Sequence, residues 1–540
     1  MTRILSLTLI ALAVMGAAAP DVRAQPAAPV PQVTITGFID TVSSWNKNLD
    51  DSLVFRDGER AWYARNRGRF DVIGQLGQAK AVLGLEIDHT FGTTAVGGQD
   101  NNLAAGGAGV GQHNGATGAF DLNTDTQGTI EVKWLYTEFP LPFMPFPTLV
   151  RLGAQPFTTT YKLAALVRGD FAAANIDVNF TPNLKAHFTY IAAEENLTGS
   201  RRSLGFGRGD DWAIVTSVEV TPIKGLDIRP IYAFFSATGS TQTNPARNNV
   251  GGIGGTPTFT RKAIGGVGGL GMYENRHTVG VDARWRSGPF TLEPTFFYQF
   301  GNRDTDNPFG PAINSNVREA DISAFFFDVI GGWRMGPLFL EARYTYISGN
   351  RPKDQLSKDV NYYQPISNDG SFYGAGWGEI RSLGIDYFIG SLKGIGRYSS
   401  LDRYGNQTVA LRGTYTVTPS LDIRAVVAPM WTARSIDTDG TTAFAGGTGA
   451  TIGAITCATH TANSAANPRG AGCNGDASYV GTEVNLGLVW RFAPGLTFDL
   501  VGAVHFSGDA LDSSEVRNGV LTKRDAKDIY AIASRIRFSF

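Results

Sequence analysis

The sequence is poor in cysteine, in charge and in long apolar segments. Two cysteines among 540 residues exclude a disulfide-framework fold and a multi-cysteine zinc or iron–sulfur site. Charged residues make up 18% of the chain and the net charge is −1, so no basic field points to nucleic acid. The chain also lacks the signatures of nucleotide, metalloprotease and serine-hydrolase sites. We therefore expect no enzyme, no catalytic residue, no metal and no cofactor.

No uncharged apolar segment of about 18 residues follows the N-terminal region, which excludes a transmembrane helix in the rest of the chain. The chain is instead rich in glycine, at 66 residues, and in aromatic side chains, at 11%. This composition favours strands and turns over helices. Because only helices and closed β-barrels satisfy every backbone group in a bilayer, the barrel is the membrane fold left to test.

The N-terminal region has the parts of a secretory signal peptide over residues 1–24. Arg3 gives the positive start, 4–15 form a short apolar segment, and a small-x-small cleavage motif ends at Ala24. We expect cleavage after this alanine, then a Pro/Ala-rich lead over 25–31 and the folded domain over 32–540. An N-terminal membrane anchor is the alternative, but it needs a longer apolar segment.

Apolar and polar residues alternate along most of the mature chain, with the period of half-buried strands. In the segment 526–540, for example, Ile536, Phe538 and Phe540 share one face. We count 18 such strands, and the connections between them alternate without exception between short turns and long loops. The longest loops cover 93–127, 239–273, 350–402 and 436–477. This layout predicts an all-β fold: a single closed antiparallel transmembrane β-barrel with short periplasmic turns and long extracellular loops.

The polar faces of the strands carry many charged residues. The free energy of exposing these residues to lipid decides which face lines the interior. A Lys or Arg that faces lipid near the midplane costs about 2–4 kcal/mol, so the charged faces must point inward. Such an interior cannot be dry, and a barrel of this size is wide enough for water. The aromatic residues expected on the outside, near the strand ends, are Trp134, Trp212, Trp285, Tyr344, Tyr346, Trp431 and Trp490.

Five arginines are predicted to lie together on one side of the pore. Arg65, Arg67 and Arg69 share a face of the second strand, and Arg535 and Arg537 lie at a similar height on the last strand. The first strand separates the two groups once the barrel closes. These five residues, here called the basic wall, predict a mild preference for anions.

Further charged residues are candidates for lining the pore. Arg276, Arg284 and Arg286 form a second ladder, partly offset by Asp282. Three acidic residues are expected across the lumen from the basic wall, each with an arginine nearby. These acidic residues are Asp422, Glu483 and Asp499, and the arginines are Arg412, Arg424 and Arg491. For each residue the alternative stays open that it only stiffens the wall through ion pairs between strands.

Two of the long loops carry features of their own. Loop 350–402 is too rich in aromatic residues for a solvated loop, so it is expected to fold inward as a constriction or plug, or to form an extra hairpin. An external cap is the alternative. Loop 436–477 contains Cys457 and Cys473, for which a disulfide is the default in an exported chain. A zinc site with His460 lacks a fourth ligand.

The chain resembles Gram-negative outer-membrane porins in its signal peptide, its alternation of turns and loops, and its amphipathic last strand. The ending with Phe538 and Phe540 resembles the assembly signal of such barrels, and 148–157 resembles a porin strand segment. Residues 277–282 and 298–301 are locally similar to the 18-stranded alginate-export barrels.

The resemblance implies a passive outer-membrane channel for small hydrophilic solutes or ions, which catalyses no reaction. A substrate-specific or polysaccharide-export channel is one alternative, and a plugged structural or adhesive barrel is another. The partners it implies are outer-membrane lipid, the barrel assembly machinery and the solutes, with no nucleic acid. Whether the protein forms a homo-oligomer stays open.

Overall fold

The structure, a computed structural model, describes residues 30–48, 60–91, 129–161, 166–194, 211–237, 272–305, 319–351, 359–367, 377, 405–436, 477–517 and 520–540. Within these residues the chain forms 22 strands and one short 3-10 helix at Asp509–Leu511. The strands are β1 (Gln32–Lys47), β2 (Arg60–Leu76), β3 (Ala79–Phe91), β4 (Thr129–Pro140), β5 (Thr148–Thr158), β6 (Val167–Thr181), β7 (Leu184–Glu194), β8 (Asp211–Ile223), β9 (Leu226–Ala237), β10 (Met272–Ser287), β11 (Phe290–Thr305), β12 (Glu319–Met335), β13 (Leu338–Ile347), β14 (Asp359–Val360), β15 (Ile366–Ser367), β16 (Asn406–Thr418), β17 (Leu421–Ile436), β18 (Ala477–Ala493), β19 (Leu496–Ser507), β20 (Ser513–Arg517), β21 (Val520–Arg524) and β22 (Ile529–Ser539).

Eighteen of the described strands form one closed antiparallel barrel, which confirms the predicted fold. They are β1–β13, β16–β19 and β22, and each pairs with its two neighbours around the ring. The ring closes where β1 pairs with both β2 and β22. At this seam Gly37 and Phe540 exchange two backbone hydrogen bonds of 3.0 Å. Among the described residues no helix is both long and apolar enough to cross a bilayer.

The connections follow the predicted alternation at the two ends of the barrel. The short ones fall at one end, here called the turn end, and the long ones at the other, here called the loop end. The short connections are 77–78, 141–147, 182–183, 224–225, 288–289, 336–337, 419–420 and 494–495. Sequence analysis did not predict the short strands β14 and β15 or the small hairpin of β20 and β21.

Alternation along the strands places apolar side chains on the outer face. The C-terminal strand shows it directly, because Ile536, Phe538 and Phe540 are all exposed on the outside. In β12 the sequence left the face undecided. The structure points Phe325 outward, where it is 38% exposed, and Phe326 inward, where it is 5% exposed. The outer surface is therefore a continuous apolar band of the kind that lipid requires.

The prediction that Trp134 faces lipid is wrong. A β-bulge opposite Gly84 and Leu85 leaves Lys133 without a register partner, so the alternation of β4 is shifted at this point. The indole of Trp134 lies inside the barrel, where its Nε1–H donates to Asp170. The other predicted girdle residues include Trp490, which is exposed on the outside, as expected.

Several predictions fall on residues outside the described ranges. They include the signal peptide over 1–24, both cysteines (Cys457 and Cys473), and nearly all of loops 93–127, 239–273 and 436–477. Loop 350–402 is described only at 350–351, 359–367 and Trp377.

Candidate functional site in the barrel interior

Ion pairs between neighbouring strands run around the inner wall of the barrel. Arg412 binds both carboxylate oxygens of Glu341, at 2.6 and 2.8 Å, and Arg284 lies 2.6 Å from Asp227. Further pairs of this ion-pair belt are Arg67–Glu86, Lys80–Glu138, Arg151–Glu138, His187–Asp177, Lys185–Glu219, Arg229–Glu219, Arg343–Asp328, Arg491–Asp422, Arg535–Asp499 and Arg537–Asp40. Most of these side chains keep some exposure, so toward the turn end the interior is a wet, charged surface.

The structure brings the two arginine groups of the basic wall together as predicted. Across β1, Asp40 lies opposite both Arg67 and Arg537. In the same way Val42 lies opposite both Arg65 and Arg535. The wall therefore spans β2, β1 and β22 as one surface of the lumen.

Carboxylates that the sequence did not single out are built into the basic wall. Asp40 lies 2.5 Å from Arg537, and Glu86 lies 3.3 Å from Arg67. Both acidic residues could have been recognised only with the strand register in hand, because they belong to neighbouring strands. The wall is thus a mixed surface of arginines and carboxylates.

Two of the acidic candidates are not placed as predicted. Asp499 lies on the wall itself, 2.8 Å from Arg535, because β19 pairs directly with β22. It therefore does not face the basic wall across the lumen. Glu483 is fully buried, and the bidentate partner of Arg412 is Glu341 instead. Asp422 lies 2.9 Å from Arg491, one of the three arginines expected near the acidic candidates.

The three arginines of the second ladder lie in three different environments. Arg276, near the loop end, is buried and lies 2.9 Å from Glu274. Arg284 stacks on Tyr161 at 4.2 Å and bonds Asp227, whereas Arg286 is largely exposed at the turn end. Asp282 is buried and accepts the backbone N–H of Tyr161 at 2.6 Å. Arg424, the remaining candidate, is half-buried on β17.

Residues 359–367, here called the strap, cross the interior. At one end β14 pairs in parallel with β12, and at the other end β15 pairs in parallel with β6. In the middle, the Gln364 backbone N–H donates to Gln299 at 2.8 Å, and Gln299 donates to the Gln364 carbonyl at 2.6 Å. Arg276 also donates to Gln364, at 2.9 Å. This described part of loop 350–402 folds inward, which was one of the outcomes that the sequence left open.

The strap covers a dry, apolar part of the inner wall, here called the first cluster. Tyr363 and Ile366 of the strap pack on it, and Phe326 meets the Tyr363 ring at a centroid distance of 5.5 Å. The buried wall residues of this cluster are Phe171, Ile191, Ala213, Val215, Ile231, Ala233, Phe297, Ala324, Phe326 and Ile347. The strap therefore closes the lumen along β6–β13 toward the loop end.

A second cluster covers the inner faces of β16–β19 and β22. Trp377 lies 4.1 Å from the Arg412 guanidinium, and Ala510 and Leu511 of the short helix pack beside it. The buried wall residues are Ala410, Val426, Ala428, Met430, Val480, Val501, Ala503, Ile529, Ala531 and Ala533. Since both clusters are dry, the prediction of a charged and wet interior holds for the turn end and not for these two sectors.

Between these sectors, at β2–β6, lies a polar group here called the corner: Arg69, Glu86, Lys133, Trp134 and Asp170. The Lys133 ammonium is 3.2 Å from Glu86 and 3.6 Å from Asp170. The Arg69 guanidinium stacks on the Trp134 ring at 4.1 Å. Sequence reasoning missed Lys133 and Asp170, because their contacts with Glu86 and Trp134 depend on the packing of different strands and on the bulge in β4. The described residues contain no group of three or more potential metal ligands.

Comparisons with known proteins find similar folds only. No family model and no curated protein matches the chain. OccAB4 of Acinetobacter baumannii is similar at 11% identity and a TM-score of 0.44, covering 94% of this chain and 97% of its own. OccD3 (OpdP) of Pseudomonas aeruginosa is similar at 11% identity and a TM-score of 0.41, covering 94% and 91%. Because these scores are low, the function proposed below is drawn from this chain's own residues.

Proposed function

We propose that the protein is an outer-membrane porin: a passive channel for small hydrophilic solutes or ions, with a mild preference for anions. One observation carries the proposal, namely a charged, partly exposed inner wall inside a closed sheet whose outer face is apolar. An apolar outer face is suited to contact with lipid, and a charged inner face is suited to contact with water. The basic wall supports the anion preference, because it gathers five arginines on one surface of the lumen.

The first test is a planar-bilayer recording from refolded residues 25–540 under a salt gradient. We expect discrete conductance steps and a reversal potential on the anion side. A folded barrel that passes no current would instead favour the plugged structural or adhesive barrel, for which the two dry clusters are the supporting observation. Block of the conductance by a defined sugar, phosphate or polyanion would favour a substrate-specific or export channel.

The second test removes positive charge from the basic wall. Replacing Arg65, Arg67 and Arg69 together with serine is expected to shift the reversal potential toward cations, because the carboxylates of the wall then exceed its arginines. Arg286→Ser, at the exposed turn end, should change it less. An unchanged reversal potential in a conducting triple variant would contradict the anion preference while leaving the channel in place.

The proposal extends to location and partners. Secretion with cleavage after Ala24 and insertion by the barrel assembly machinery through Phe538 and Phe540 fit a barrel of this kind. Mass spectrometry of the mature N-terminus tests the cleavage site. Native mass spectrometry in detergent distinguishes a monomer from a homo-oligomer.

A further inference from the structure

We propose that solutes cross the loop-end half of the barrel through the corner at β2–β6, and that Lys133 and Asp170 set the charge selectivity there. This inference rests on the proposed channel function. The corner adjoins the basic wall through Arg69 and Glu86, whereas Lys133 and Asp170 lie outside the wall.

The inner wall is buried in the two sectors that flank the corner. On the strap side, Ala233 and Gln299 have no exposed surface, and on the opposite side the same is true of Ala428. A solute could reach these positions only by displacing packed side chains. At the corner, in contrast, the Lys133 side chain is 24% exposed and that of Asp170 is 35% exposed. The corner therefore brings two charged side chains into contact with solvent between two dry sectors.

The corner is also built so that both charges point into the lumen. Trp134 Nε1–H donates to Asp170 Oδ1 at 2.7 Å, which orients the carboxylate. The Lys133 ammonium lies between Asp170 and Glu86, within hydrogen-bonding or ion-pair distance of each. A permeating anion therefore meets the ammonium, and a permeating cation meets the carboxylate, at the same level of the lumen.

The backbone holds this arrangement in place through the bulge and one glycine. The bulge turns both Lys133 and Trp134 inward. A Cβ on Gly84 would lie 2.9 Å from the Trp134 ring and 3.1 Å from an Asp71 oxygen, so glycine leaves the space that the indole occupies. The ring in turn supports the Arg69 guanidinium.

Charge variants test the selectivity role. Lys133→Gln is expected to shift the anion-to-cation permeability ratio toward cations, and Asp170→Asn toward anions, each by about twofold or more. Lys185→Gln and Asp177→Asn are matched controls near the turn end, outside the corner, and should change the ratio much less. Equal effects of the variants at the corner and of those near the turn end would overturn the assignment. Shifts of the same sign for Lys133→Gln and Asp170→Asn would overturn it too.

Cysteine accessibility tests the route itself. In a Cys457→Ser, Cys473→Ser background, a charged methanethiosulfonate reagent is expected to reduce the current of Lys133→Cys and to leave Ala233→Cys and Ala428→Cys unchanged. Reduction at either alanine position, or none at Lys133→Cys, would overturn the route while the channel function stands. A folded background protein that carries no current contradicts the channel function instead.

Discussion

Replacing Tyr363 and Ile366 with glycine is expected to raise the single-channel conductance several-fold. These two side chains hold the strap on the first cluster, and both are buried there. Burial of a large apolar side chain is worth about 1.5–3 kcal/mol, so removing these two takes away the attachment of the strap to the first cluster. Val360 and Tyr362 of the strap still pack with Ile322. Once the strap loosens, the lumen along β6–β13 opens beside the corner. Planar-bilayer recording measures the change directly.

An outward-facing residue of the same type provides the control. Tyr298→Ala removes an aromatic side chain from the lipid face of β11, where it is exposed, and should leave the conductance unchanged. If the strap variant folds and conducts like the wild type, the strap does not narrow the pore. A larger conductance in both variants would point to a general loosening of the barrel.

Asp328→Ala is expected to lower the free energy of unfolding by about 3–5 kcal/mol. The Asp328 side chain has no exposed surface, and Arg343, 5% exposed, donates its Nε–H to this carboxylate at 2.6 Å. Thr345 donates to the same oxygen. Removing the carboxylate leaves a buried guanidinium without this counter-charge, and that penalty exceeds the value of an exposed ion pair. Urea unfolding in lipid vesicles, followed by tryptophan fluorescence, measures the loss.

Asp422→Ala is the matched control, since it breaks an ion pair of similar geometry in a wetter place. Its partner Arg491 is 50% exposed, so the expected cost is about 0–1 kcal/mol. In the double variant Asp328→Ala, Arg343→Met much of the stability should return, because no buried charge remains there. Equal losses for Asp328→Ala and Asp422→Ala would contradict the role of burial.

The strands were predictable because their signal is local. Arg65, Arg67 and Arg69 were expected on the second strand, and all three lie on β2. The last strand was expected at 526–540 and forms at Ile529–Ser539. Each strand needs only its own residues and a neighbouring turn, so strand number and closure follow from the sequence alone.

Contacts across strands were not predictable, because they depend on register. Asp499 was expected to face the basic wall across the lumen, but the pairing of β19 with β22 puts it beside Arg535. Trp134 was expected outside, but one unpaired residue in β4 reverses its direction. The strap was foreseen only as an inward loop, since its anchors Gln299 and Phe326 lie far from it in sequence.

The seam between β1 and β22 is expected to form late in the assembly of the barrel. The other neighbouring strands of the barrel follow one another along the chain, yet the seam brings together Asp40 and Arg537, 497 positions apart. Contacts of this kind form late, after the local hairpins. Until β22 arrives, β1 presents an unpaired edge that can recruit another chain instead. The longer β1 stays unpaired, the more this edge favours aggregation. Earlier pairing of residues 529–539 with β1 should therefore reduce aggregation.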